Sequence, residues 1–234
     1  MQGKIYLIPM TLGDGPIEDV IPDLIQKIVN SIDVFFVENV RTTRRYFSKL
    51  GIEKPINTLE FIELDKDTKQ SEIEKYIKPI LDGKNAGIVS EAGIAGIADP
   101  GAELVKLAHT KNIRVVPLSG PSSIILALSA SGMNGQNFAF NGYLPIEKDK
   151  LTTKILQLEK RSKTENQAQI FMETPYRNNQ MLENLYQICN PNTKLCIACD
   201  ITLETEFLQT KTIADWKKIK PDIHKRPAIF ILGW

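Results

Sequence analysis

A glycine-rich loop follows one of the most apolar segments of the chain. In AGIVSEAGIAGIADPG, residues 86–101, an apolar run gives way to Glu91 and then to three glycines, Gly93, Gly96 and Gly101. Glycine lets bare backbone approach a ligand closely. In open α/β sheets, ligands bind beyond the carboxyl ends of the strands. The loop therefore predicts a ligand site at the end of a strand.

Three other loops occupy equivalent positions at the ends of apolar runs. They read PMTLGDG from residue 9, PLSGPSS from residue 117 and METPYR from residue 172. Loops that follow strands converge on a common cleft, which is the usual place for a small-molecule site. Four such loops together predict one cleft between two domains.

The ligand lacks the usual sequence signals for nucleotide binding. The chain contains no G-x-x-x-x-G-K-[ST] motif, and its three loop glycines do not form G-x-G-x-x-G. These patterns supply the phosphate cradle of nucleoside triphosphate and NAD sites. The sequence therefore argues against both ligands.

Three cysteines lie close together in the second half of the chain. Cys196 and Cys199 form a C-x-x-C pair, and Cys189 precedes them. Such a pair suggests zinc or redox chemistry, but it lies in the apolar run KLCIACDI, with no second pair and only two histidines in the chain. We predict structural thiols and no metal site.

Strand-like and helix-like segments alternate along the first half. The apolar runs 4–9, 34–38, 86–90 and 114–118 predict strands, and the segments 17–30, 41–49, 72–82 and 102–111 predict helices. Alternation of this kind favours a parallel sheet covered by helices. Residues 1–118 are therefore predicted to form an α/β domain with a mainly parallel sheet.

The segment PLSGPSS interrupts this pattern and marks the domain boundary. Helices are predicted at 122–131, 149–160 and 178–189, and several strand-like runs follow one another near the end. Adjacent strands favour antiparallel pairing. Residues 119–234 are therefore predicted to form a second α/β domain with a mixed sheet.

The composition limits the class of protein. The 234 residues are 42% hydrophobic, and the formal net charge is +1, so the chain as a whole lacks the strong positive field of a dedicated nucleic-acid binder. Its first apolar run is too short for a signal peptide, and no stretch approaches the length of a membrane span. We expect a cytoplasmic protein without a membrane contact.

The ordered set of motifs resembles the tetrapyrrole methylase superfamily. SEAGIAGIADPG, VVPLSGPSSIILALSASG, FAFNGYLP and FMETPYR occur in the family order, and the resemblance runs from Lys4 to Leu232. It is strongest to the branch that methylates a ribose 2′-hydroxyl of small-subunit ribosomal RNA. The resemblance implies S-adenosylmethionine as cofactor, bound in a cleft between two α/β domains. It also implies a homodimer, with NFAFNGYLP as a possible contact.

The resemblance also assigns the cofactor contacts residue by residue. The implied contacts lie in the strand-end loops, at the start of one helix and on later strands. They are Pro9 at the adenosyl end, Glu91, Gly93 and Ile94 at the methionine portion, Ser122 and Ser123 facing the cofactor, Met172 on the adenine, and Ala198 and Ala228 completing the pocket. Each has a structural alternative, because glycines serve turns, Ser122 could cap a helix and Met172 could belong to the core.

Several motifs depart from the family pattern. Glu38-Asn39-Val40-Arg41 stands where the family reads Glu-Asp-Thr-Arg, and the segment 199–203 replaces Arg-Glu-Leu-Thr-Lys. A C-terminal segment of the family is also expected to be missing. Methylation of a small molecule such as a tetrapyrrole therefore remains an alternative, as does a non-catalytic module that binds the cofactor.

Methyl transfer to a hydroxyl needs a group that accepts or orients its proton. Glu38 is the first candidate base and Glu173 the second, although Glu38 could instead be a carboxylate stabilised at a helix N-terminus. Arg41, Arg44 and Arg177 are the candidate substrate contacts, because RNA binding requires local cationic patches. A second basic cluster spans 217–226, and either cluster could be a solvated surface.

Overall fold

The computed structural model describes residues 2–65, 68 and 70–234. The chain divides into two compact units, the first ending at Ser122 and the second spanning Ser123–Trp234. The boundary predicted after Leu118 lies in the same loop. Within the described residues, no helix is both long enough and apolar enough to cross a membrane.

The first unit contains a five-stranded sheet in which every pairing is parallel. Its strands are β1 (Lys4–Ile8), β2 (Val34–Val37), β3 (Glu60–Glu63), β4 (Ala86–Val89) and β5 (Arg114–Pro117), in the order β3-β2-β4-β1-β5. Strands β2 and β4 are buried along their whole length. Complete burial is typical of parallel strands covered on both faces.

Helices cover both faces of this sheet. They are α1 (Leu24–Asn30), α2 (Val40–Leu50), α3 (Gln70–Tyr76), α4 (Lys78–Leu81) and α5 (Gly101–Thr110). Neighbouring residues of β2 point to opposite faces of the sheet. The Phe35 ring packs edge-on against the Phe47 ring of α2, with 4.8 Å between the ring centroids, whereas Phe36 faces Tyr76 of α3. The two faces therefore have separate cores.

Two helix predictions in this unit were wrong in extent. The helix predicted over 17–30 begins only at Leu24, after turns that include Pro22. Proline lacks an N–H group and clashes with the preceding helical turn, so it is tolerated only near a helix start. The helix predicted over 72–82 is two short helices, and Pro79 lies in the first turn of the second.

The second unit contains a mixed five-stranded sheet. Its strands are β6 (Phe138–Tyr143), β7 (Ala168–Met172), β8 (Lys194–Cys199), β9 (Phe207–Thr212) and β10 (Ala228–Gly233), in the order β6-β7-β10-β8-β9. Only the β6–β7 pairing is parallel. Its helices are α6 (Ser123–Ser131), α7 (Lys148–Glu165), α8 (Asn178–Ile188) and α9 (Ile213–Ile219). The predicted α/β class is confirmed.

The cysteines lie in the core of the second unit. Cys196 and Cys199 are fully buried in β8, and Cys189 follows α8. Burial raises the pKa of all three thiols, that of Cys199 to about 12. Residues three apart on a strand point to opposite faces, so the C-x-x-C pair cannot present both sulfurs to one ion. This arrangement supports structural thiols.

Candidate functional site

The loops that follow β1 and β4 are joined by two backbone hydrogen bonds. The Met10 N–H donates to the Gly93 carbonyl oxygen at 2.9 Å, and the Gly93 N–H donates to the Met10 carbonyl oxygen at 3.2 Å. Strands β1 and β4 are neighbours, but the chain leaves them in opposite directions along the sheet, towards β2 and β5. A reversal of this kind creates a crevice at the strand ends, where ligands bind in open α/β sheets.

Two glycines allow the strand-end loops to approach this closely. Gly93 has φ of +72°, and a Cβ atom there would lie 3.2 Å from both Leu12 Cδ2 and the Pro121 carbonyl oxygen. A Cβ atom on Gly120, in the loop after β5, would lie 2.1 Å from Pro9 Cβ. Larger residues would push the three loops apart. Gly93 is itself buried, so the absence of a side chain there serves the close packing of these loops.

Helix α2 fixes the position of the β1 loop. The Tyr46 hydroxyl donates a buried hydrogen bond of 2.7 Å to the Pro9 carbonyl oxygen. Burial raises the pKa of Tyr46 well above its usual range, so the hydroxyl stays a donor. This contact was not predicted, and its only sequence signal is a tyrosine on the apolar face of α2 beside Phe47.

Glu38 lies at the carboxyl end of β2 and turns towards the β4 loop. Its Oε1 accepts a hydrogen bond of 3.2 Å from the Glu91 N–H. Partial burial raises the pKa of Glu38, this hydrogen bond opposes the shift, and the nearby carboxylates of Asp99 and Glu91 add to it. Asn39, not Glu38, caps α2 by accepting from the Thr42 N–H. The geometry therefore argues against Glu38 as a carboxylate stabilised at the helix N-terminus, which would have a lowered pKa.

Asp99 shapes the glycine-rich loop from within. Its two carboxylate oxygens accept from the Gly96 N–H at 2.5 Å and the Gly101 N–H at 2.7 Å. Burial raises the pKa of Asp99, and these hydrogen bonds oppose the shift. A Cβ atom on Gly101 would lie 2.6 Å from Ile88 Cγ2. Gly101 therefore serves close packing, whereas Gly96, with φ of +86°, serves a turn.

The second candidate base already has partners in its own loop. Glu173 is buried, and its Oε2 lies 3.2 Å from Nη2 of Arg177. Its Oε1 accepts a hydrogen bond of 2.7 Å from the Thr174 N–H. The same ion pair engages Arg177, a candidate substrate contact. These contacts stabilise the turn after β7 and leave Glu173 less available for proton transfer than Glu38.

The strand register of the second unit separates the predicted adenine contact, Met172, and Ala198 from Ala228, the other residue predicted to complete the pocket. Met172 and Ala198 both pair with Ile229, so these three side chains lie in one row on the same face of the sheet. Ala228 pairs with Cys199 in the next row, and its side chain belongs to the core beneath α8 and α9. The structure thus brings Met172 and Ala198 together, adds Ile229, and turns the side chain of Ala228 to the opposite face.

Three of the remaining predicted contacts lie at or beside helix starts. Ser123 is the first residue of α6, and Ser122 precedes it. Arg41 is exposed in the first turn of α2, whereas the Arg44 guanidinium lies over the Phe61 ring, 5.3 Å from its centroid. Ile94 follows Gly93 and is partly buried.

The second basic cluster is largely paired with carboxylates. Lys218 Nζ lies 3.4 Å from Asp215 Oδ1, and Lys220 Nζ lies 3.8 Å from Glu183 Oε1. The Arg226 Nε lies 2.7 Å from Asp200 Oδ2. Pairing lowers the net charge of this surface, so the segment 217–226 is a weaker candidate for RNA binding than its sequence suggests.

An open cavity of about 640 Å³ lies beside the joined β1 and β4 loops. Its walls are formed by residues 10–14, by residues 91–92 and by a polar face of α2 that includes Thr42, Arg45 and Lys49. The volume is in the range of small-molecule sites. Arg45 was not among the predicted contacts, since its sequence neighbour Arg44 could not be distinguished from it without the orientation of α2.

Comparison with known sequences extends over most of the chain. The family of tetrapyrrole (corrin/porphyrin) methylases matches residues 16–216. A Thermotoga maritima protein named ribosomal RNA small subunit methyltransferase I is 31% identical over 223 residues, covering 94% of this chain and 94% of that protein. The Vibrio cholerae protein of the same name is 28% identical over 214 residues, covering 90% of this chain and 69% of that protein.

Comparison with solved structures supports the fold alone, because the identities are low. The methyltransferase CobJ has a TM-score of 0.65 at 14% identity, covering 99% of this chain and 94% of CobJ. The uroporphyrin-III C-methyltransferase from Thermus thermophilus, solved with S-adenosyl homocysteine, has a TM-score of 0.58 at 15% identity, covering 99% of this chain and 97% of that one.

The raised pKa of Glu38 predicts a pH-dependent cost to folding. A carboxyl whose pKa is higher in the folded state favours folding below its unfolded pKa, and this contribution is lost as the pH rises through the folded pKa. Glu38→Gln removes the ionisation, so we expect a higher melting temperature than wild type at pH 7.5 and an equal one at pH 4. The exposed Glu60→Gln is the control. A lower melting temperature for Glu38→Gln at pH 7.5 would mean that the Glu91 N–H bond outweighs burial.

Proposed function

Because this chain belongs to the tetrapyrrole methylase family, which uses S-adenosylmethionine, we propose that it methylates a ribose 2′-hydroxyl of small-subunit ribosomal RNA. The observation that carries the proposal is the similarity to relatives named for this RNA over nearly the whole chain. One of these relatives is matched over nearly its own full length. These named relatives favour RNA over a tetrapyrrole as acceptor.

The strand-end loops of the first unit suit the cofactor. S-adenosylmethionine supplies an electrophilic methyl group on a sulfonium, so no metal ion is needed to activate it. Gly93 keeps the loops after β1, β4 and β5 close together, because a Cβ atom there would crowd Leu12 and Pro121. We assign the cofactor to this loop with Pro9, Glu91 and Ile94, and to a set further along the chain: Ser122, Ser123, Met172, Ala198 and the backbone of Ala228.

Glu38 is the proposed base for the acceptor hydroxyl. Its raised pKa makes its carboxylate a stronger base than an ordinary glutamate. The Glu91 N–H orients that carboxylate from the cofactor loop. The same contact therefore links the position of the base to the position of the donor. Alignment of the acceptor, the methyl group and the sulfur at near-attack distance can together lower the barrier by about 7–11 kcal/mol.

Arg41 is exposed beside this region and remains a proposed RNA contact. Arg177 has a different role in the proposal, because its guanidinium pairs with Glu173. We propose that Glu173 and Arg177 together hold the loop after β7. Cytoplasmic localisation follows from the proposed substrate.

The function is tested by incubating the protein with methyl-labelled S-adenosylmethionine and either naked ribosomal RNA or assembled small subunits. We expect label in RNA, recovered after digestion as a 2′-O-methylated nucleoside. Glu38→Gln should lower turnover about 100- to 10 000-fold, the usual contribution of a base, with little change in cofactor affinity. Glu60→Gln should behave as wild type. Label in a tetrapyrrole and none in either RNA sample would exclude the proposed acceptor.

The cofactor assignment is tested with Gly93→Ala and a matched variant, Gly132→Ala. Both glycines have positive φ, +72° and +69°, but nothing lies within 4 Å of a Cβ atom on Gly132. Each substitution should cost about 1–2 kcal/mol of folding free energy from the left-handed backbone. In calorimetric titration with S-adenosyl homocysteine, only Gly93→Ala should lose affinity, by about tenfold or more. Equal affinity in the two variants would remove Gly93 from the site.

We also propose that the protein is a homodimer that uses the β6 edge. Phe138 and Tyr143 on this edge strand are 40% and 60% exposed, and Ile146 just beyond it is 77% exposed. Exposed apolar side chains on a sheet edge favour association. Light scattering should give twice the chain mass, and Ile146→Asp should reduce it, whereas Leu24→Asp, at another exposed apolar residue, should not. A single-chain mass for wild type at micromolar concentration contradicts the dimer.

A further inference from the structure

We propose that the open cavity beside the β1 and β4 loops holds one nucleotide of the acceptor RNA, with its phosphate on Arg45. This inference rests on the proposed RNA substrate and identifies a positioning residue that the sequence motifs do not assign. Its basis is the juxtaposition of Arg45, Thr42 and Lys49 with Glu91 around a single cavity.

The orientation of α2 is fixed at two points. Asn39 caps its first turn, and the buried Tyr46 hydroxyl holds it to the Pro9 carbonyl oxygen. Tyr46 and Arg45 both line the cavity. Because Arg45 immediately precedes the anchored Tyr46, its backbone is held at a constant place relative to the strand-end loops. A guanidinium on so rigid a base is suited to positioning a substrate.

Charge on the α2 wall favours a phosphate at Arg45. Lys49 is paired with Asp14, which also lines the cavity. Among the described residues, Arg45 forms no salt bridge, although its charge helps to lower the pKa of Asp14. A guanidinium without a carboxylate partner can form a bidentate contact with a phosphate at no cost of breaking an ion pair.

The opposite wall suits the sugar. Glu91 is exposed at the β4 loop, where its carboxylate can accept hydrogen bonds but repels phosphate. A nucleotide carries its negative charge on the phosphate and has hydroxyl donors on the ribose. With the phosphate on Arg45 and the ribose towards Glu91, the guanidinium therefore pairs with the phosphate and the carboxylate accepts hydrogen bonds from the ribose hydroxyls. It also brings the ribose to the loop whose N–H group holds Glu38.

The neighbouring arginine gives a rival assignment. Arg44 is about 100° around the helix from Arg45 and lies over the Phe61 ring instead of lining the cavity. If the cationic surface as a whole bound RNA, the two residues would contribute equally. If the cavity binds a nucleotide, Arg45 should contribute to RNA binding and Arg44 should not.

The test measures RNA methylation and RNA binding separately in Arg45→Ala, Arg45→Lys, Arg44→Ala and the distant exposed control Arg161→Ala. For Arg45→Ala we expect the KM for RNA to rise about tenfold and the salt dependence of RNA binding to lose about one unit of slope. Arg45→Lys should be intermediate, Arg161→Ala should match wild type, and affinity for S-adenosyl homocysteine should be unchanged in all four. An effect of Arg44→Ala as large as that of Arg45→Ala would overturn the inference.

Binding of a single-stranded RNA pentanucleotide, measured by titration, keeps this inference distinct from the proposed function. Arg45-dependent binding without methylation of any RNA would support the nucleotide cavity and reject the proposed reaction. Methylation of RNA by wild type with Arg45→Ala unaffected would reject the cavity and retain the reaction. Failure of the wild-type protein to bind the pentanucleotide would also overturn the inference.

Discussion

The pair of backbone hydrogen bonds between Met10 and Gly93 is the constraint on which the site depends. It joins the loops after two neighbouring strands whose connections leave in opposite directions. The Tyr46 hydroxyl holds the β1 loop one residue before this bridge, at Pro9, and Glu38 accepts from the β4 loop two residues before it, at Glu91. The positions of helix α2, of Glu38 as the proposed base and of the glycine-rich loop are therefore all fixed by this one bridge. Any residue other than glycine at 93 strains that point, because its φ is positive.

The same arrangement places carboxylates where their ionisation is costly. Burial raises the pKa of both Glu38 and Asp99, and backbone N–H groups oppose the shift at each. The two residues use these N–H groups differently. Both carboxylate oxygens of Asp99 accept hydrogen bonds from N–H groups of its own loop, whereas Glu38 accepts one hydrogen bond, of 3.2 Å, from a neighbouring loop. Glu38 is thus the carboxylate with capacity left for an external partner.

The sequence was sufficient for the class of fold and the location of the loops. Strand and helix alternation predicted an α/β fold, whereas the exposed backbone expected at the glycines after β4 is not found at Gly93, which is buried. The direction in which a side chain points from a helix or strand could not be predicted from the sequence. Arg44 and Arg45 differ by one position on α2, and Ala228 and Ile229 differ by one on β10, yet each pair points in different directions. Contacts between distant segments, such as Tyr46 with Pro9, likewise leave no pattern in a single sequence.

The strand order of the first unit also determines when its parts can assemble. Strand β4 lies between β2 and β1, so β1 has no neighbour in the sheet until residues 86–117 have been made. During synthesis, which starts at the N-terminus, β1 is therefore an unpaired apolar segment while most of this unit is made. It contains Ile5 and Ile8, which are buried in the folded protein. Long-range parallel pairing is intrinsically slow. Pairing of β4 with β1 brings Gly93 beside Met10, and β5 then completes the sheet on the other side of β1. The proposed ligand surface at these loops therefore forms late in the synthesis of the unit.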